Sequence, residues 1–328
     1  MRISQVLIFL SGFGFGLQSI TSYLCLKEHF PENFSTFTSV TTLFHFVGMA
    51  ILPSVLNWFK SEYGLKSALI LLGGVMWNLV PCGAGTIPPK RTKDRAITEE
   101  EEEEMEVQGN ELHDRLDDGK TEHFIKNWIP LLLPWYHHVN FRYMHIFSIT
   151  GIYIYTSWII FLVSLGTSLG LPTEQAVFLS SVGGIGGFSG KLLGAALFYL
   201  DKVNAEVCCL PFLLTSASMM ATIFMKHYSM IATFTLISGF SQGLATTLLY
   251  GLIPHIVCSH HFPSAVSLVL VSEGVTIQLS GLFSGFLHDA LGSTVYVFAF
   301  NAVLCAVIFP FMVPWSCNDQ TVKKCKGT

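Results

Sequence analysis

Two ionisable side chains stand inside otherwise apolar stretches, and their types and placement are the ones best suited to chemistry. Lys191 is the only lysine or arginine within a run apolar enough to cross a membrane, and Glu273 is the only acid well inside one. A charge at the bilayer centre costs at least ~2.5 kcal/mol on insertion scales, so such a residue by default faces a cavity or a partner. Lys191 would offer an anionic solute a countercharge, as a compact point charge without arginine's bidentate fork. The competing reading is snorkelling, because Lys191 lies nine positions before Leu200, roughly 13 Å of helix rise. Glu273 lies nine positions after Ser264, which sets both charges at nearly the same depth. The two are expected to compete for a solute or a proton, with Glu273 as a proton carrier, or to lock two helices as a structural ion pair.

Holding such a pair requires helices that span the membrane. Apolar runs bounded by charges or turn residues predict about nine: Ile3–Leu26, Thr36–Leu56, Ser67–Ile87, Tyr143–Leu165, Ala176–Leu200, Val207–Met225, Met230–Cys258, Ser264–Leu287 and Ser293–Trp315. Thr36–Leu56 is the most polar of these, yet Thr hydroxyls can bond back to helix carbonyls. In the span from Ala176 to Leu200, glycines recur at four-residue spacing (Gly183/Gly187, Gly186/Gly190, Gly190/Gly194), a pattern that lets helices approach closely in lipid.

Of 328 residues, 51% are apolar and only 12% carry a charge, about half the roughly 25% of soluble domains. Twenty of the forty charges crowd into residues 88–126, where Glu99 to Glu104 is an unbroken acidic run. Such a run repels itself and cannot build a core. The expected organisation is a partial N-terminal bundle of three helices (1–87), a largely disordered acidic cytoplasmic loop with an interfacial segment (88–142), a C-terminal six-helix bundle (143–315) and a cytoplasmic tail (316–328). With that loop inside, thirteen Lys and Arg lie on the cytoplasmic side and four outside, placing the N-terminus outside and the C-terminus inside.

The composition argues against an ordinary cytosolic enzyme, and no basic stripe suggests nucleic acid. Eight cysteines form no C-x-x-C pair, so neither a metal site nor a disulfide framework is expected, and no cofactor is implied. No Ser/His/Asp or Cys/His arrangement suggests catalysis. The histidines at 45, 137, 138, 255, 260 and 261 are read as interfacial and solvated, because the adjacent pairs cannot share a helix face.

Several motifs, in order, carry a resemblance. Gly12-Phe13-Gly14-Phe15-Gly16-Leu17 leads to Tyr23; Tyr63-Gly64-Leu65-Lys66-Ser67-Ala68-Leu69-Ile70-Leu71-Leu72-Gly73-Gly74 is followed by Asn78 and Cys82-Gly83-Ala84. Further on stand Leu179-Ser180-Ser181-Val182-Gly183 with Gly190-Lys191, Gly239-Phe240-Ser241-Gln242-Gly243 with Pro254, and Glu273-Gly274 with Asp289-Ala290-Leu291-Gly292-Ser293. Together these resemble the fourth to twelfth helices of the monocarboxylate transporter family, within the major facilitator superfamily. The resemblance implies an all-α helical bundle that works by alternating access, with an incomplete N-terminal half, a complete six-helix C-terminal half and a location in the plasma membrane. It implies small organic anions as solutes, with a proton for some members, and for some a single-span immunoglobulin-like chaperone subunit. Where the family's proton-linked members place an aspartate four residues before the eighth-helix arginine, this chain has Gly187 and Lys191. That departure leaves open facilitated transport of a different solute. Lacking the family's first three helices, the chain is alternatively expected to be a truncated or non-transporting protein that associates with or modulates a full-length relative.

Overall fold

A computed structural model describes residues 18–30, 33–78, 138–200, 205–258 and 261–317, together with positions 14, 80–81, 134–135 and 202–203. The predicted acidic run, the residues before 14 and the tail beyond 317 lie outside the described residues. All the regular structure described is helical. We label the helices α1 (18–29), α2 (Phe34–Met76), α3 (Val139–Ser168), α4 (Thr173–Tyr199), α5 (Ala205–Phe224), α6 (Tyr228–Ile256), α7 (Phe262–Leu291) and α8 (Thr294–Cys317).

Among the described residues, six helices are long and apolar enough to cross a membrane, and Thr294–Pro310 is a shorter apolar helix. The 30 residues of α3 rise roughly 45 Å, more than the ~30 Å of hydrocarbon they must cross. The hydroxyl-rich start of α2 is helical for the reason its sequence suggests: Ser39 Oγ donates to Ser35 O at 2.6 Å and Thr42 Oγ1 to Thr38 O at 2.9 Å. The two spans expected at Thr36–Leu56 and Ser67–Ile87 form one helical segment, broken at Gly64. There φ is 75° and ψ 166°, a region essentially closed to residues with a Cβ. At the other end of the chain α7 starts with a proline in its first turn. It stops at Gly292, whose left-handed backbone lets its N–H reach His288 O at 2.8 Å.

The closest packing follows from the glycine face of α4. A Cβ at Gly186 or Gly190 would run into the carbonyls of Leu236 or Phe240 on α6, and one at Gly239 or Gly243 into those of Gly183 or Gly187. The two backbones therefore touch, and α4 packs most extensively on α6 and then on α2. On the α2 side, a Cβ at Gly184 would stand 2.7 Å from the backbone nitrogen of Ala50. Hydroxyl pairs fasten the remaining helices: Ser218–Ser238 at 2.7 Å joins α5 to α6, and Ser157–Ser284 at 2.8 Å joins α3 to α7. Asn301 Nδ2 donates to the same Ser157 at 2.8 Å and adds α8 to that group. In a bundle surrounded by lipid, backbone approach and such hydrogen bonds replace the hydrophobic drive that holds a soluble core.

Two apolar clusters lie towards opposite ends of the bundle. One gathers Phe34, Phe141, Phe147, Ile253, Ile256 and Phe262, and the other Phe46, Trp158, Leu162, Leu179, Ile231 and Phe298. Between them the helices enclose polar groups.

Candidate functional site

Lys191 of α4 and Glu273 of α7 line a single cavity of about 550 Å³. Its walls also include Tyr23 from α1, His45 and Phe46 from α2, Tyr155 from α3 and Tyr250 from α6. The cavity thus lies between the N-terminal helices and the six-helix part of the chain.

The position of Lys191 follows from the glycine face below it. Gly187 is one turn earlier on α4, and the ring of Phe46 occupies the space its side chain would need. Residues four apart share a helix face, so Lys191 emerges beside the same ring, with Nζ 5.4 Å from its centroid. Lys191 as a whole is 6% exposed, and its Nζ stays beside Phe46 rather than snorkelling to the helix end. Any side chain at 187 would collide with Phe46, whose ring fills the volume that a larger residue there would need.

Glu273 is equally withdrawn, at 8% exposure. Its Oε1 accepts hydrogen bonds from the Tyr250 hydroxyl and, at 3.4 Å, from Ser148 Oγ of α3. Tyr23 stacks on Tyr250 with ring centroids 5.9 Å apart and planes 6° from parallel. Next to Glu273, Ser272 Oγ hydrogen-bonds to His145 Nε2 at 2.7 Å, so α3 braces α7 at the acid and at the residue before it. Across the cavity His45 Nε2 and the Tyr155 hydroxyl are 2.7 Å apart. Lys191 and Glu273 share the space without forming a direct ion pair.

The two charges singled out by the sequence are therefore brought to one cavity, on opposing helices. The aromatic hydroxyls around them carried no signal of their own, since a tyrosine in an apolar span reads first as packing. The histidines require correction. His45 faces the cavity rather than a solvated interface. His138 and His261 meet at 3.4 Å, and His261 is only 5% exposed. Adjacent histidines do not share a helix face, but this contact joins one histidine from each pair, because α3 and α7 start at the same end of the bundle. His137 and His260 lie outside the described residues. Among the described residues no group of three or more His, Cys, Asp or Glu is placed to hold a metal ion, and cysteines 25, 208 and 305 are free thiols.

A bundle of helices long and apolar enough to cross a membrane, with a charged cavity among them, is the build of a polytopic carrier. The sequence profile of the Major Facilitator Superfamily matches residues 3–210, and the chain belongs to that superfamily of membrane transporters, which are not enzymes. Within it the chain is a distant relative of the monocarboxylate transporters. It is 24% identical to monocarboxylate transporter 3 of Gallus gallus over 96% of this chain and 61% of that protein. It is 23% identical to monocarboxylate transporter 13 of Rattus norvegicus, with 87% and 60% covered, and 24% identical to monocarboxylate transporter 12 of Mus musculus, with 92% and 63% covered. The chain thus spans about three fifths of the length of these relatives. Among solved structures, the fucose:proton symporter FucP of E. coli superposes with a TM-score of 0.50 at 15% identity, over 94% of this chain and 92% of that one. That likeness concerns the fold.

Proposed function

We propose that the protein is a secondary transporter of small organic anions, working by alternating access around the cavity between α1/α2 and the six-helix part. The observation that carries this reading is the meeting of Lys191 and Glu273, the two interior charges, in that cavity. Lys191 provides the countercharge for a carboxylate, and Glu273 takes up the positive charge that accompanies it. For a solute with a negative charge only, that positive charge is a proton, and transport is proton-linked. The distribution of Lys and Arg supports an N-terminus outside, and kinship with the monocarboxylate transporters extends to this chain the expectation of the plasma membrane and of a single-span immunoglobulin-like chaperone.

Reconstitution tests the function directly. Proteoliposomes containing the full chain are expected to accumulate labelled monocarboxylates faster than empty vesicles, and faster still with an inward proton gradient. Absence of uptake for every monocarboxylate, from protein that is folded by circular dichroism, contradicts the reading.

A second reading draws on α2 beyond Gly64. Leu65, Leu69, Ile70 and Trp77 are exposed there, and added Cβ atoms at Gly73 and Gly74 would meet nothing within 4 Å. An exposed apolar segment of this kind, with room beside its glycines, can dock against a further helix in the membrane. It favours a protein that associates with, or modulates, a full-length relative. Co-purification with such a relative, lost on Gly73→Leu/Gly74→Leu, would support it; no complex in a co-expression experiment would remove it.

A further inference from the structure

We infer that a small chamber behind Tyr250, separate from the solute cavity, holds one water molecule positioned by Gln242, and that Glu273 exchanges its proton with this water through Ser148. The inference rests on the reading of transport as proton-linked and names the residue that positions the proton step.

The chamber lies inside the six-helix part, among α3, α5, α6 and α8. Its walls include Ser148, Thr215, Gln242 and Tyr250, but neither Lys191 nor Glu273. Ser148 and Tyr250 are the two residues whose hydroxyls donate to Glu273 Oε1. The chamber therefore stands one hydroxyl away from the carboxylate that lines the solute cavity. Its volume is about 20 Å³, and a single water needs ~10–15 Å³ together with roughly two to four polar partners.

Gln242 supplies the reason for an occupant. It is 4% exposed, and among the described residues its Nε2 has no hydrogen-bond partner. A buried donor left unpaired bears the whole cost of losing water, and one bound water removes that cost. No charged side chain is among the chamber's described walls, so neither an anion nor a cation finds a countercharge there. Water needs none: it accepts from Nε2 and keeps two protons to donate. Ser148 Oγ, having given its own proton to Glu273, has lone pairs for one of them. On the far side, Thr215 Oγ1 pairs with Ser241 Oγ at 2.5 Å, and one turn on Ser218 pairs with Ser238 at 2.7 Å. These hydroxyls continue from the chamber along the α5–α6 contact, towards the turn that joins the two helices.

The proton step is then short. An excess proton on the water passes to Ser148 Oγ as the Ser148 proton passes to Oε1, leaving neutral water, an intact hydroxyl and a protonated Glu273. Release runs the same transfers in reverse. Gln242 does not line the solute cavity; it acts by fixing the water, as a positioning residue.

The test uses proteoliposomes containing the full chain and a carboxylate whose uptake by the unaltered protein is stimulated by an inward proton gradient. Net uptake driven by that gradient requires Glu273 to gain and lose a proton in each cycle. Exchange of labelled for unlabelled solute at equal pH proceeds with Glu273 protonated throughout. Gln242→Met keeps the length of the side chain without its hydrogen bonds. It is expected to slow net uptake about tenfold, as loss of one hydrogen bond in the proton step would give, and to leave exchange within about threefold. Its net uptake is also expected to slow more in D2O than that of the unaltered protein. Equal losses in both modes, or none in either, would overturn the inference and leave the proton-linked reading standing. Carboxylate uptake that is absent, or that no proton gradient stimulates, would overturn both. A second measurement needs no variant, so a misfolded Gln242→Met does not spoil the test. A density map of the unaltered chain that resolves waters is expected to show one within about 3 Å of the Gln242 amide, and a dry chamber would overturn the inference.

Discussion

At the scale of single residues, the account turns on how the two interior charges are held. Glu273 depends on the Tyr250 hydroxyl, and a hydrogen bond to a charged group is worth about 1.5–3 kcal/mol. Tyr250→Phe removes that donor and keeps the ring that stacks on Tyr23. The variant should lose about that much stability in chemical unfolding, and the loss should shrink by at least ~1 kcal/mol in a Glu273→Gln background, since coupled neighbours are not additive. Equal losses in the two backgrounds would show that the hydroxyl serves something other than the carboxylate. Lys191 is held differently, by the volume left free at Gly187 and filled by Phe46. The charges themselves were legible in the sequence, because charge is rare inside apolar runs and therefore conspicuous. Their surroundings were not. Tyr23, Tyr155 and Tyr250 stand in apolar runs where a phenol is unremarkable, and only the packing of α1, α3 and α6 makes them neighbours of a charge.

At the scale of helices, the contact between α4 and α6 sets the geometry on which the site rests. Its four-residue glycine spacing was readable along the chain; its partner was not, because a small-residue face says that something comes close without saying what. The reciprocal glycines Gly239 and Gly243 of α6 resolve that, each set against a carbonyl of α4. Overpacking such a contact costs about 1–3 kcal/mol. Gly190→Ala is expected to lower the thermal unfolding midpoint by several degrees, since its Cβ meets the Phe240 carbonyl. Gly274→Ala, with nothing within 4 Å of the new Cβ, should leave the midpoint unchanged or raise it slightly, alanine being the better helix former. Equal midpoints for the two variants would mean that the helices are not in backbone contact. The bend in α2 shows another limit of sequence reading. Two apolar spans were expected either side of a short connection, and the residues that form it are helical up to and after a break at Gly64. Hydropathy locates apolar stretches but cannot see whether the polar residues between them stay helical.

At the scale of the whole molecule, α2 is the member that ties the N-terminal helices to the rest. Ser35 Oγ donates to Gly251 O of α6 at 2.6 Å, and Ser181 Oγ of α4 donates to Ala50 O at 2.6 Å. The two attachments are fifteen residues apart on α2, roughly 22 Å of rise, and the cavity residues His45 and Phe46 lie between them. In a carrier that alternates its access, contacts of this kind at either end of the site are the ones that must break in turn. The class of fold was legible from apolar runs and the confinement of charge to one segment, whereas the approach of α2 to both α4 and α6 depends on long-range packing that no local pattern encodes. The central claim is that Lys191 binds the anion in this cavity, and uptake by proteoliposomes carrying Lys191→Met, set beside Lys202→Met at an exposed position, tests it most directly. The account predicts that Lys191→Met loses at least about tenfold in uptake of the transported carboxylate, the equivalent of one charge-assisted hydrogen bond, while Lys202→Met transports as the unaltered protein does. Undiminished uptake by Lys191→Met would contradict it.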